Sequence, residues 1–158
     1  MDIDLTPDQL VDFSAWVKRN RSKANTVPRH CLVFTHRTLQ TPMQFRECLW
    51  GRYNDSAAEQ QNIFYRNLRD AGVRFVVTGH LHAHDLYMIT SPDGQNTLTS
   101  LICAPAGNKV LPIPFLLPAK SRVKTLQYRS GITAYYILTI YPDSMTLDTY
   151  ACLLYTSP

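Results

Sequence analysis

The chain has 158 residues, of which 45% are hydrophobic, and a formal net charge of +4 at pH 7. This length and ordinary composition predict one domain with a hydrophobic core, or a large piece of a bigger domain. Neither basic cluster, residues 18–23 or residues 120–129, has the aromatic pattern of a nucleic-acid groove, and no hydrophobic stretch reaches the roughly 18 residues that a membrane span needs.

The amino-terminal segment predicts a helix that begins at Thr6 and Pro7. Threonine caps helices through its side-chain oxygen, and proline suits the first helical position, where no N–H is needed. Leu10, Phe13 and Val17 follow at helical spacing, so we expect them to form one apolar face.

A short apolar run, residues 31–34, predicts a buried strand. It stops at Thr35, so His36 lies just past the carboxyl end of this strand. Residues 40–54 show no clear periodicity and predict a loop with room for a short helical turn.

The next segment predicts a second helix. Ser56 and Glu59 form a capping-box pattern, and Gly72 is typical of the residue that follows a helix. Phe64 and Leu68, with Ile63 beside them, supply the apolar face.

A second buried strand is predicted at Val73–Val77, and it leads into the turn Gly79-His80-Leu81-His82. We expect the glycine to let the backbone turn sharply, so that both imidazoles point to one side of the turn. Imidazole is the commonest metal-binding side chain, and ligand sites favour the carboxyl ends of strands. The turn therefore predicts part of a metal site.

After this turn the pattern changes to successive strands. Residues 84–90 and 97–103 predict a β-hairpin around a turn at residues 91–94. Residues 104–118 contain four prolines and predict an extended loop, and no strand is predicted before residue 132. Residues 132–141 and 145–150 predict a final hairpin.

The order of these elements predicts an α/β fold with a mixed sheet and C-terminal antiparallel hairpins. Two strands separated by a helix favour parallel pairing in adjacent or nearly adjacent positions. Their carboxyl ends then lie at one edge of the sheet, where ligands bind. Because His36 and the Gly79–His82 turn both follow such ends, we expect them to share a site.

Three features together resemble the calcineurin-like metallophosphoesterase superfamily, which includes the purple acid phosphatases. They are the helix start at residues 5–10, the strand that ends in His36, and the turn Gly79–His82, and the resemblance runs from about Leu5 to Tyr150. It implies part of a layered α/β/β/α sandwich. It also implies an enzyme that hydrolyses phosphate mono- or diesters, with a phosphorylated or small phosphoester substrate.

By this resemblance, His36 and His80 bind the second metal of a dinuclear centre, and His82 binds the first. The ions are divalent or trivalent Zn, Fe or Mn, which lower the pKa of a bridging water and neutralise phosphoryl oxygens. Arg37 is either a surface residue or a group that meets the substrate phosphate bidentately. We expect His84 to lie beside the ligands or on the surface.

Other candidates have structural interpretations. His30 precedes a strand and is expected to be structural, and residues 107–109 predict a turn. The cysteines form no Cys-x-x-Cys pair, which argues against a thiolate zinc site or a thioredoxin-like motif: Cys31, Cys48, Cys103 and Cys152.

The chain departs from the family pattern because it has no Asp-x-His, Gly-Asp-x-x-Asp or Gly-Asn-His motif. These motifs supply the bridging carboxylate and the other ligands, and Asp2 and Asp4 lie in the wrong context to replace them. We therefore predict that residues 1–151 are the C-terminal portion of a metallophosphoesterase domain, and that this chain alone is inactive or nearly so. Residues 152–158 resemble translated adapter sequence and predict a non-native tail.

Two alternatives stay open. One is a non-catalytic module that keeps the metallophosphoesterase scaffold without the metals. The other is a mononuclear site of the cupin type, which also uses His-x-His on β-structure. The glutamate of that site is absent here, and two amphipathic helices fit such a barrel poorly.

Overall fold

The computed structural model describes residues 5–23, 30–39, 48–51, 56–107 and 122–152. The predicted loops at 40–54 and 104–118 and the tail after Cys152 lie largely outside these residues. In chain order the elements are α1 (Pro7–Ser22), β1 (Cys31–Thr35), α2 (Ala58–Asp70), β2 (Val73–Thr78), β3 (His84–Thr90), β4 (Thr97–Ile102), β5 (Val123–Arg129), β6 (Thr133–Ile140) and β7 (Met145–Cys152).

The strands form a five-stranded mixed sheet, ordered β1-β2-β4-β3-β5, and a two-stranded sheet of β6 and β7. β2 pairs in parallel with both β1 and β4, whereas β3 runs antiparallel to β4 and β5. The predicted α/β class, the parallel pairing of the first two strands and both hairpins are therefore confirmed.

Helix α1 begins as predicted. The Thr6 hydroxyl accepts a hydrogen bond from the backbone N–H of Gln9 (3.3 Å), and the Gln9 side chain accepts one from the N–H of Thr6 (2.8 Å). This reciprocal pair is a capping box. Leu10 and Val17 are buried, but Phe13 is 38% exposed, so the predicted apolar face is only partly covered.

Helix α2 departs from the prediction at its first turn. Its cap is Ala57, which makes no side-chain capping bond, so the predicted Ser56–Glu59 capping box is wrong. Glu59 lies in the first turn of the helix, where a carboxylate interacts favourably with the helix dipole. The end of the helix is as predicted, because Gly72 adopts a positive φ of 75°.

The sequence pattern does not predict strand β5. It pairs with β3 at one edge of the larger sheet. Val123 alone of its residues is buried, since an edge strand next to solvent needs little apolar surface. A strand of this kind gives no apolar run to detect.

The main core lies between the two helices and one face of the five-stranded sheet. Phe64, Tyr65 and Leu68 of α2 are fully buried there with Val76 of β2. Trp50, in the segment assigned to a loop, is also buried and contacts Phe64 edge-on at a centroid distance of 5.4 Å.

The β6–β7 hairpin joins the larger sheet through a few specific contacts. The Tyr136 hydroxyl accepts a hydrogen bond from the backbone N–H of Ala104 (2.9 Å) and lies 3.1 Å from Nδ1 of His84. Nε2 of His30 donates to the carbonyl of Tyr141 (2.8 Å), which agrees with a structural role for His30. Within the described ranges, no helix is both long enough and apolar enough to cross a membrane.

Candidate functional site

The candidate site lies at the edge of the larger sheet where the parallel strands end. Thr35 and Thr78, the last residues of β1 and β2, are register partners. His36 directly follows the first, and the turn from Gly79 to Ala83 follows the second before β3 starts. The parallel register thus brings the two predicted histidine segments to the same place.

His36 and His80 are in direct contact. Nδ1 of His80 lies 3.1 Å from Nε2 of His36, and the two rings meet edge-on at 78°. The backbone holds the two loops together as well, because the N–H of Gly79 donates to the carbonyl of His36 at 3.1 Å. Both loops are therefore fixed relative to each other by side chains and main chain.

The turn owes its shape to the histidines and not to the glycine. His80 and His82 have positive φ angles of 73° and 52°, whereas Gly79 is absent from the positive-φ residues. A Cβ at Gly79 would meet the His36 carbonyl at 3.8 Å, an ordinary contact. The expectation that Gly79 allows the turn is wrong. Left-handed non-glycine residues are uncommon and store strain, which concentrates at functional sites.

His82 is half-buried, and its Nδ1 is buried without a hydrogen-bond partner in the described part of the chain. Across that same part, no three His, Cys, Asp or Glu side chains are grouped as metal ligands. His36 and His80 therefore form a pair, while His82 is the next histidine along the same turn. Asp2 and Asp4 lie outside the described residues.

Arg37 follows His36 and is half-buried. Its carbonyl accepts a hydrogen bond from the Thr35 hydroxyl at 2.6 Å, which fixes the backbone just after β1. Arg37 and His36 line the same surface groove. Arg37 thus borders the groove next to the histidine pair.

His84 is only 1% exposed, so the part of the expectation that placed it on the surface is wrong. Its ring stacks on Tyr136 at a centroid distance of 5.8 Å. Burial lowers the pKa of His84, because the low-dielectric surroundings disfavour the imidazolium. Burial likewise raises the pKa of Tyr136 to about 12. The neutral Tyr136 hydroxyl accepts from the backbone N–H of Ala104 and shares a second hydrogen bond with Nδ1 of His84, whose direction depends on the tautomer of the imidazole.

Asp85 is a buried carboxyl group that sequence reasoning did not single out. It is 2% exposed, and its Oδ1 has no hydrogen-bond partner among the described residues. Burial raises its pKa to about 7. It lies at the start of β3, three residues after His82, opposite Ile102 of β4. The only signal in the sequence was an acidic residue at the start of a predicted strand.

The spacing of the histidine pair suits a shared metal ion. Two nitrogen ligands with bonds of about 2.0–2.1 Å to one ion lie about 2.9–3.4 Å apart in octahedral or tetrahedral geometry. The distance of 3.1 Å between His36 and His80 falls inside that interval.

No protein-family model, curated protein or solved structure matches the chain.

Proposed function

We propose that this chain forms the histidine side of a metal-dependent phosphoesterase centre. His36 and His80 hold one ion, and His82 is a ligand of a second. In the intact parent protein, this centre hydrolyses phosphate mono- or diesters. The distance of 3.1 Å between the two imidazole nitrogens is the observation that carries the proposal.

The donor set fits such ions in part. A direct hydrogen bond between two neutral imidazoles uses one N–H and one lone pair, whereas a bound ion takes a lone pair from each ring. The hydrogen bond from the Gly79 N–H to the His36 carbonyl (3.1 Å) holds together the two loops that carry these rings. Neutral imidazole suits zinc, iron or manganese.

The buried Nδ1 of His82 supports its inclusion. A buried polar atom without a partner is costly, and coordination or an outer-shell hydrogen bond removes that cost. His82 lies two residues after His80 in a strained turn. The positive φ angles of both residues then serve to present two rings from one short segment.

A pair of bound metal ions supplies the charge that activates water and neutralises phosphoryl oxygens. Arg37 adds a guanidinium beside the pair, and guanidinium binds phosphate bidentately. The chain therefore contributes neutral ligands and a phosphate-binding cation. The bridging carboxylate must come from elsewhere, because no third ligand joins the pair within the described ranges.

A layered α/β/β/α sandwich is part of the same proposal. The helices pack on one face of the larger sheet. On the other face, Phe34, Val77 and Leu101 are register partners across β1, β2 and β4, and Leu86 of β3 continues the row. An apolar row of this kind favours a second layer, and the contact of Tyr136 with His84 supports the β6–β7 sheet as part of it.

A non-catalytic binding module is the second candidate, since a metal site without a carboxylate can still bind phosphate. Both candidate functions require phosphate to bind at the metal site. Isothermal titration with inorganic phosphate, with and without Zn or Mn, tests this binding. We expect phosphate to bind only in the presence of metal, and Arg37→Met to weaken this binding. Metal-independent binding, or none at all, contradicts the proposal.

Hydrolysis of p-nitrophenyl phosphate by the same samples tests turnover. We expect none from this chain alone, because half of the ligands are lacking. Metal-dependent turnover that disappears in His80→Ala contradicts that expectation and shows that the chain is catalytically sufficient. The variant His30→Ala, at a histidine that contacts the Tyr141 carbonyl instead, serves as the matched control.

A further inference from the structure

The turn from Gly79 to Ala83, which we call the histidine turn, carries two of the candidate metal ligands on a strained backbone. His80 and His82 have positive φ angles of 73° and 52°. Non-glycine residues keep this conformation only where the surrounding structure over-determines it. The contacts that fix the two ends of the histidine turn therefore decide how both imidazole rings are presented.

Main-chain hydrogen bonds fix the amino-terminal end of the histidine turn. The N–H of Gly79 donates to the carbonyl of His36 at 3.1 Å. One residue earlier, the carbonyl of Thr78 accepts from the N–H of Cys103 at 2.7 Å. Because Cys103 directly follows β4, this end of the turn is fastened both to the loop after β1 and to the segment after β4.

A side chain from the two-stranded sheet fixes the carboxyl-terminal end. His84, which starts β3 right after the turn, is 1% exposed and stacks on Tyr136 of β6 with an angle of 12° between the rings. The Tyr136 hydroxyl lies 3.1 Å from Nδ1 of His84 and accepts from the N–H of Ala104 at 2.9 Å. One oxygen atom thus connects the end of the turn with the segment after β4.

The segment after β4, residues 103–105, is an anchor for both ends of the histidine turn. Its first residue donates to the carbonyl of Thr78, and its second donates to the Tyr136 hydroxyl. The carbonyl of its third residue, Pro105, accepts from the N–H of Ala134 at 3.1 Å, two residues before Tyr136 in β6. The Tyr136 hydroxyl therefore closes a ring of contacts that fastens both ends of the turn to one segment.

We propose that Tyr136 is a positioning residue of the metal site. Its hydroxyl, acting through His84, fixes the end of the histidine turn and holds the rings of His80 and His82 in the arrangement that binds metal. The inference rests on the proposed function, since it concerns the same site. It gives the two-stranded sheet a part in metal binding through a residue that is not itself a ligand.

The variant Tyr136→Phe tests this role, because it keeps the ring that stacks on His84 and removes the oxygen. We expect the folded variant to bind Co²⁺ at least about threefold more weakly than the wild type, with a changed shape of the visible absorption band, because the ligands are presented differently. Tyr135→Phe is the matched control and should bind Co²⁺ as the wild type does. It removes the hydroxyl of a neighbouring tyrosine that is 53% exposed and stacks on Tyr150.

A second variant breaks the same contact from the other side. His84→Leu keeps the Tyr136 hydroxyl and removes its partner nitrogen, so we expect a similar loss of Co²⁺ affinity. In the double variant the two losses should not add, because each single variant breaks the same interaction. His84→Leu also decides the question if Tyr136→Phe does not fold, since wild-type Co²⁺ affinity in folded His84→Leu overturns the proposal.

Hydrogen exchange separates a positioning role from a general effect on stability, and it needs no metal. Amides in the buried strand β2 exchange through global unfolding, whereas those of the turn report on its local opening. The N–H groups of Gly79 and Leu81 both donate hydrogen bonds in the turn region. Relative to the amides of β2, we expect these two to exchange at least about threefold faster in Tyr136→Phe than in the wild type.

The wild-type chain and the control define the results that overturn the proposal. Wild-type Co²⁺ affinity and spectrum in folded Tyr136→Phe overturn it, and so does an equally large effect of Tyr135→Phe. Additive losses in the double variant, or unchanged exchange of the turn amides relative to β2, also overturn it. These results leave the proposed function intact, whereas a wild-type chain that binds no Co²⁺ overturns the proposed function and this role together.

Discussion

The buried carboxyl group of Asp85 makes the stability of this chain depend on pH. Asp85 is 2% exposed, and burial raises its pKa from 3.8 to about 7. At pH 8 the folded chain must hold a buried carboxylate whose Oδ1 has no partner among the described residues. The variant Asp85→Asn keeps the shape of the side chain and removes its charge.

The size and the sign of the pH effect on stability follow from the shift in the pKa of Asp85. The difference between 3.8 and about 7 is about 3 pKa units. At about 1.4 kcal/mol per unit, this corresponds to about 4 kcal/mol. Between about pH 4 and pH 7 the folded state keeps a proton that the unfolded chain has lost, so the free energy of unfolding falls as pH rises through this window. The full loss is reached above the folded-state pKa.

Urea unfolding followed by circular dichroism measures this directly at pH 4, 6 and 8. We compare the unfolding free energy of Asp85→Asn with that of the wild-type chain. We expect the value of the variant minus that of the wild type to be about 4 kcal/mol higher at pH 8 than at pH 4. Taking the difference between the two proteins cancels the contribution of every other titrating group, because both proteins contain those groups. Asp148→Asn, at an exposed position of β7, is the control. A difference that is the same at pH 4 and pH 8 refutes the reasoning.

Two further predictions concern local interactions, and both are measured by urea unfolding. Thr6→Ala should lower the unfolding free energy by about 1 kcal/mol because it removes the capping box, whereas Ser56→Ala should change it by less than about 0.5 kcal/mol. Equal effects of the two variants would contradict the capping assignment. Tyr136→Phe should cost about 1–3 kcal/mol, since the backbone N–H of Ala104 and Nδ1 of His84 lose their shared partner. An unchanged unfolding free energy in Tyr136→Phe would show that the hydroxyl does not join the two sheets.

Much of the fold follows from apolar patterning. The segments of β1, β2, β3, β4 and β6 contain continuous or alternating apolar residues, so the sequence predicts each of them. β5 escapes because Lys124, Gln127 and Arg129 interrupt its apolar residues. The start of α2 is misjudged because Ser56 and Glu59 have the spacing of a capping box, yet the cap is the next residue, Ala57.

The candidate site likewise has some features that the sequence predicts and others that it does not. The contact between His36 and His80 is predictable, because parallel strands bring their carboxyl ends together. The left-handed conformation of His80 and His82 is not, since a glycine next to them is the more obvious candidate for the turn. The burial of His84 and Asp85 is also beyond sequence patterning, because it depends on β5, β6 and their packing.

The central claim is that His36 and His80 hold one metal ion between them. Titration with Co²⁺, followed by its visible absorption, tests this most directly in the wild-type chain and in single variants. We expect nitrogen-ligated Co²⁺ in the wild type and in His30→Ala, with affinity lowered by more than about tenfold in both His36→Ala and His80→Ala. Unchanged affinity in either of these two variants, or no Co²⁺ binding by the wild type, would contradict it.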